Sequence, residues 1–188
     1  TNTSSSSRHK PPKWILGDLI GRGAFSSVYA AKDAKTGETV AIKLLKGAAE
    51  DSGGIGSSET EKKERFKRLQ SEVEVLRTLD HPGIVRYYEH FVADDSLCVV
   101  MAYCEGGDLE HRIQSLKETS GARGEPQLLD WFVQMALALQ YLHTRRILHR
   151  DLKTANVFLT RAGIVKLGDF GVSRVLSATA ELAKTFVG

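Results

Sequence analysis

His149-Arg150-Asp151-Leu152-Lys153-Thr154-Ala155-Asn156, followed thirteen residues after the Asn by Asp169-Phe170-Gly171, is the stretch on which the reading of this chain turns. Its residue types are those that phosphoryl transfer requires. A carboxylate at Asp151 can receive a hydroxyl proton and Lys153 can neutralise a moving phosphoryl group. Asn156 and Asp169 supply oxygens suited to magnesium. The interval H-R-D-x-x-x-x-N is complete, as the established motif for this chemistry spells it. Either short motif alone would be weak. Together, in this order and with the partners found upstream, they are specific.

Upstream, Gly21-Arg22-Gly23-Ala24-Phe25-Ser26-Ser27-Val28 is a glycine-rich turn. Dinucleotide folds also begin with such a turn, but there it must run into a helix whose N-terminus holds the pyrophosphate. Here a strand and a hairpin follow, which suits a flap of backbone N–H groups over nucleotide phosphates. Ser26 stands where a third glycine would. In the next strand, alternation puts Val40, Ile42 and Leu44 on one face and Ala41, Lys43 and Leu45 on the other. A small residue beside a lysine suits an adenine contact next to a phosphate contact. Alone, the same lysine would read as one snorkelling from an edge strand.

A helix is expected over Glu61–Leu79, with Phe66, Leu69, Val73, Leu76 and Leu79 recurring at steps of three and four. On a helical wheel started at Phe66, the other four span roughly 220° to 340° with Phe66 adjoining them, and Glu72 falls inside the stripe at about 240° while Glu74, at about 80°, does not. A carboxylate on a buried face requires a cation. Glu72 is therefore expected to pair with Lys43. Further on, Leu97–Cys104 is apolar, so a purine there must be held by backbone groups. The Ala102 carbonyl and the Cys104 N–H are assigned to it, with Met101 walling the rear.

The chain has 188 residues, 41% of them hydrophobic, enough for one domain with a real core. Its formal charge of +3 is mild, and no basic stripe with interleaved aromatics points to nucleic acid. No apolar run approaches the roughly 18 residues of a membrane span. Cys98 and Cys104 are too few for a disulfide framework and too isolated for zinc, which fits reduced thiols inside a cell. The fold class expected is α+β and bilobal. Residues 1–13 are Ser-rich and read as a disordered tail. Residues 14–101 form an antiparallel β lobe with one helix and a Gly/Ser-rich insertion at 47–60. Residues 102–188 form a hinge and a mainly helical second lobe. Its long helix, Glu125–Arg146, is apolar nearly all round and is expected to be buried on most sides.

From Trp14 to Gly188 the chain resembles the eukaryotic protein kinases. Lys153 in His149–Lys153 is similar to the serine/threonine-specific branch. Tyr103–Leu109, Leu129–Gln134, Ile147–Asp151, Lys166–Gly171 and Ala183–Gly188 are similar to the NIMA-related kinases. The resemblance implies a bilobal kinase fold, ATP and Mg2+ as cofactors, and transfer of the γ-phosphoryl group to Ser/Thr hydroxyls of protein substrates. It implies catalytic roles for Asp151, Lys153, Lys43 and Glu72, with the metal on Asn156 and Asp169. ATP contacts would come from Ile20, Gly21, Arg22, Gly23, Ala24, Phe25, Ser26, Val28, Ala41 and Lys43 above, and from Met101, Ala102, Cys104, Asp108 and Phe158 beside and below. Thr185 would be a phosphorylation site greeted by Arg150. Leu76, Phe170 and His149 would stack between the lobes.

Some residues depart from the family's pattern. Ala102 replaces a common acidic residue and Thr154 a common Pro, and the 47–60 loop is longer than usual. The resemblance also implies an intracellular, cytoplasmic protein, with nucleus, cytoskeleton, centrosome or cilium allowed. A homodimer or regulatory partner would act outside this segment. The start at Thr1 without Met and the stop at Gly188 read as cuts, with an A-P-E motif and further helices expected beyond. Without them the 125–146 helix should expose an apolar patch, and the competing reading is a catalytically incompetent nucleotide-binding or interaction fragment.

Overall fold

The computed structural model describes residues 13–23, 26–45, 59–93, 96–119 and 125–169. The remainder of the expected tail and of the 47–60 insertion lies outside these residues, as does everything from Phe170 onward, including Thr185.

Five strands form one antiparallel sheet: β1 (Trp14–Arg22), β2 (Ser26–Asp33), β3 (Thr39–Leu45), β4 (Tyr87–Ala93) and β5 (Ser96–Ala102), in the order β1-β2-β3-β5-β4. Helix α1 (Glu59–Arg77) precedes β4, so the last two residues of the expected insertion are already helical. After the sheet come α2 (Leu109–Thr119) and α3 (Glu125–Thr144). A single 3-10 turn follows at Thr154–Asn156, and then the small antiparallel pair β6 (Val157–Leu159) and β7 (Val165–Leu167). The α+β, two-part architecture is as expected.

The β2–β3 turn shows how local chemistry sets register. Asp33 Oδ1 accepts the N–H groups of Lys35 at 2.7 Å and Thr36 at 3.0 Å. Those donors hold the Asp33 carboxyl below its ordinary pKa. Gly37 closes the turn at φ 74°, where a side chain would be strained. The resulting register pairs Val28 with Lys43 and Ala30 with Ala41, and on the other side of β3 pairs Lys43 with Val99 and Ala41 with Met101.

Strand alternation divides the core in two. Val40, Ile42, Cys98 and Val100 pack on one face with Ala31, Trp14 and Phe91. Leu45, Leu97 and Val99 face the other way, onto Val73, Leu76 and Leu79 from α1 and its C-terminal end, with Phe66 and Leu69 half-buried beside them. The predicted helical stripe is thus the buried one. This second core runs on into the other lobe through Leu142, Val157, Leu159, Val165 and Leu167.

Backbone bonds stitch the lobes where the site will sit. Ile84 pairs in parallel with Leu167, Val85 N–H donates to Leu167 O at 2.9 Å, and Leu167 N–H donates to Gly83 O at 2.8 Å. Helix α3 departs from expectation. It buries Trp131, Ala138 and Leu142 but leaves Leu128, Leu129, Phe132, Val133 and Leu137 exposed, so one side only is covered. The exposed patch expected of the isolated segment is present.

Past the sheet, Gly106 N–H donates to Leu159 O at 2.9 Å, so the two backbones run in contact. A Cβ at Gly106 would lie 2.7 Å from Thr160 O and 2.8 Å from Leu159 O. Because backbone must yield, Gly106→Ala is expected to lower unfolding free energy by about 1–3 kcal/mol, read from urea denaturation midpoints.

Candidate active site

The cleft between the sheet and the β6–β7 pair encloses a cavity of about 320 Å³. Ile20, Val28 and Ala41 close it from the sheet, and Phe158 and Gly168 from below. Met101, Ala102 and Cys104 line its hinge side, Lys43 and Asp169 are among its polar residues, and Asp108 also borders it.

Each of these positions has a local cause. Ala41 and Lys43 share a face of the central strand because strands alternate. Lys43 is only 8% exposed, flanked by Val28 and Val99, and its Nζ donates to Asp169 Oδ1. Glu72 lies on α1 within the described residues, but its side chain is outside them, and with it the expected Lys43–Glu72 pair. Ala24 and Phe25 also lie outside. Gly21 and Arg22 pair with Val28 and Ser27, and Gly23 N–H donates to Ser26 O at 2.8 Å. The glycine-rich turn therefore joins two strands, not a strand to a helix. A dinucleotide fingerprint is excluded by this geometry.

At the hinge, Ala102 N–H donates to Arg86 O at 2.8 Å and Cys104 O accepts from Gly107 at 3.2 Å. Neither bond uses the Ala102 carbonyl or the Cys104 N–H assigned to a purine. Burial pushes the Cys104 thiol up to about 11, so this side chain is uncharged at neutral pH.

Below, the loop before β6 is wound around Asp151. Asn156 Nδ2 donates to Asp151 O at 2.8 Å and to Asp151 Oδ2 at 3.0 Å, while Lys153 Nζ lies 3.2 Å from the same Oδ2. Gly168 N–H donates to Asn156 O at 3.0 Å, which brings Asp169 beside Asn156. The buried His149 Nε2–H donates to Gly168 O at 3.0 Å. Two non-glycine residues here hold left-handed backbone, Arg150 at φ 60° and Asp169 at φ 48°. Such residues cost about 1–3 kcal/mol each and persist where surrounding bonds over-determine them.

The spacing argument thus brought Asp151, Lys153, Asn156, Asp169 and Lys43 together. It did not name Ile84, Val85 or Tyr87, which also line the cavity. Tyr87 Oη is 2.7 Å from His90 Nδ1, and burial raises its pKa.

The comparisons with known proteins agree with this geometry. Residues 14–188 match the protein kinase domain. The chain belongs to the protein kinase family. It is 39% identical over 176 residues to serine/threonine-protein kinase Nek11 of Homo sapiens, covering 94% of this chain and 26% of that protein. Against Nek1 of Mus musculus it is 44% identical over 176 residues, 94% of this chain and 14% of that protein. Nek4 of Mus musculus is 42% identical over 172 residues, 90% of this chain and 20% of that protein. Among kinases the likeness is thus to the NIMA-related group, and the chain spans about a quarter or less of these relatives. Among the described residues no helix is long and apolar enough to cross a membrane.

Burial lowers the pKa of His149 below its ordinary 6.5, against opposing pulls from the Gly168 carbonyl, Asp151 and Asp169. The unfolded chain then takes up this proton first, so stability falls as pH drops below about 6.5. His149→Gln, which keeps a donor and removes the titration, is expected to flatten the decline between about pH 7 and pH 5.5 in urea unfolding curves.

Proposed function

We propose that this kinase domain transfers the γ-phosphoryl group of ATP to serine or threonine hydroxyls of protein substrates, using Mg2+. The observation that carries this reading is the convergence of Lys43 and Asp169 on one cavity whose remaining lining is largely apolar and includes the hinge residues Met101, Ala102 and Cys104. That polarity matches a nucleotide: base at the hinge, phosphates at the charges.

In this reading the purine lies between Ala41 and Phe158, bonded to the Ala102 carbonyl and the Cys104 N–H. Gly21–Val28 cover the phosphates with backbone N–H groups, and Lys43 holds the α- and β-phosphates. Lys43 would exchange part of its bond to Asp169 for those phosphates, with Glu72 as its second anion. Asn156 Nδ2 is committed to Asp151, which leaves Oδ1 as the oxygen it offers a metal. With one Asp and one Asn, the donor set suits magnesium, which takes few protein ligands and completes its shell with phosphates and water. Bound there, Mg2+ would neutralise phosphate charge.

Asp151 orients the acceptor hydroxyl and receives its proton as the oxygen bonds to the γ-phosphorus and the bond to the β-bridging oxygen breaks, releasing ADP. Lys153 neutralises the transferred group. Its present bond to Asp151 is exposed and screened, so little is lost when it turns to phosphate. Thr185 is the proposed activating phosphorylation site and Arg150 its cation. The protein is proposed to act inside the cell. Residues 1–13, 14–101 and 102–188 are proposed as tail, first lobe and second lobe.

With Mg-ATP labelled at the γ position and a generic Ser/Thr protein substrate, label should appear on serine or threonine. Lys43→Met or Asp169→Ala should reduce transfer by at least about a hundredfold, with folding checked by circular dichroism. An active Asp169→Ala variant sinks the magnesium assignment.

A further inference from the structure

We infer that His111 is a positioning residue for the nucleotide sugar, acting through Asp108, an inference that rests on the nucleotide reading above. Asp108 borders the cavity between the hinge and Phe158, with which its backbone pairs in an isolated bridge. Its place along the chain is therefore fixed by the sheet-like contact, and what remains free is the carboxylate. Two bonds from one residue remove that freedom. The backbone N–H of His111 donates to Asp108 Oδ1 at 2.9 Å, which caps α2. The His111 ring adds a second bond: Nδ1 lies 2.8 Å from Oδ1 and 2.8 Å from Oδ2. A carboxylate only accepts, so Nδ1 carries the proton.

The consequence follows from counting acceptor sites. A carboxylate has about four lone-pair sites. Oδ1 takes the cap N–H and a share of the ring N–H, whereas Oδ2 takes the ring alone and retains acceptor capacity. The cap bond alone would allow the carboxylate to swing about Oδ1. The ring bond to both oxygens stops that swing. A carboxylate at the rim of a nucleotide cavity, past the base and on the hinge side, is suited to the vicinal hydroxyls of a ribose. Held in one orientation, it binds them without first losing rotational freedom. His111 itself is 82% exposed, against 24% for Asp108, so it contributes little to the core and reaches the cavity only through its partner.

The test uses the unsubstituted chain and His111 variants with Mg-ATP and Mg-2′,3′-dideoxy-ATP, measuring dissociation constants by calorimetry. His111→Ala keeps the backbone cap and should narrow the preference for ATP over the dideoxy nucleotide by about three- to tenfold, chiefly through weaker ATP binding. His111→Asn retains a donor at the δ position and should recover most of the preference. A helix-capping or folding role alone would weaken both nucleotides equally. Equal preference in the unsubstituted chain and His111→Ala overturns the inference while leaving the nucleotide reading intact. Failure of the unsubstituted chain to bind Mg-ATP overturns both.

Discussion

A lysine ammonium set inside the apolar face of a central strand is the constraint on which this structure depends. Lys43 sits between Val28 and Val99 in a sheet whose two faces are both packed. Leaving its charge uncompensated there would cost several kcal/mol. Asp169 supplies the anion, and it can do so only if the end of β7 is brought up to the sheet. The backbone bonds between Gly83–Val85 and Leu167 hold it there. The strain at Asp169 is small beside the cost of an unpaired buried ammonium, so the left-handed turn is tolerated. One charge therefore ties together two lobes that share little sequence locality.

The same arrangement grades the cavity. Toward the hinge, apolar side chains and the buried Cys104 thiol predominate, with the Asp108 carboxylate at the rim. At the other end lie an ammonium and a carboxylate. The nucleotide proposed for this cleft, a flat apolar base with a string of phosphates, has the same gradient. The loop around Asp151 adds a second layer of control. Asn156 holds Asp151 through both its carbonyl and its carboxylate, and Gly168 bonds back to Asn156, so the proposed base and the candidate metal ligands are tied together.

Much of this was legible in the sequence because it is local. Asp151, Lys153 and Asn156 are held by bonds within one loop, and Ala41 and Lys43 share a face by strand period alone. The α1 stripe was legible for the same reason, since Val73, Leu76 and Leu79 recur with the helix. Of the residues that escaped, Ile84 and Val85 reach the cavity at a parallel bridge to Leu167 and Tyr87 through its pairing with Met101, and no period encodes either. The Lys43–Asp169 contact escaped too, because motif logic assigned Asp169 to a metal and Lys43 to Glu72. For α3, hydrophobicity alone overstated burial: an apolar residue states what could be covered, not what covers it.

How α3 supports the site with only one side buried follows from its polar ties. Trp131 Nε1–H donates to Gly163 O at 3.1 Å and Gln134 Oε1 accepts Val165 N–H at 2.8 Å, which hold the β6–β7 pair. At the other end Tyr141 Oη accepts Asp80 N–H at 2.8 Å and its ring lies against His81, centroids 4.8 Å apart and tilted by 34°. The helix thereby grips the β6–β7 hairpin and the turn before β4, the two segments that meet at Ile84 and Leu167. Trp131, Ala138 and Leu142 fill the space between these grips. The exposed residues Leu128, Leu129, Phe132, Val133 and Leu137 stand outside this core. Placement of Lys43 and Asp169 thus depends on the inward side of α3, and changes on its outward side should reach the site only by altering the helix as a whole.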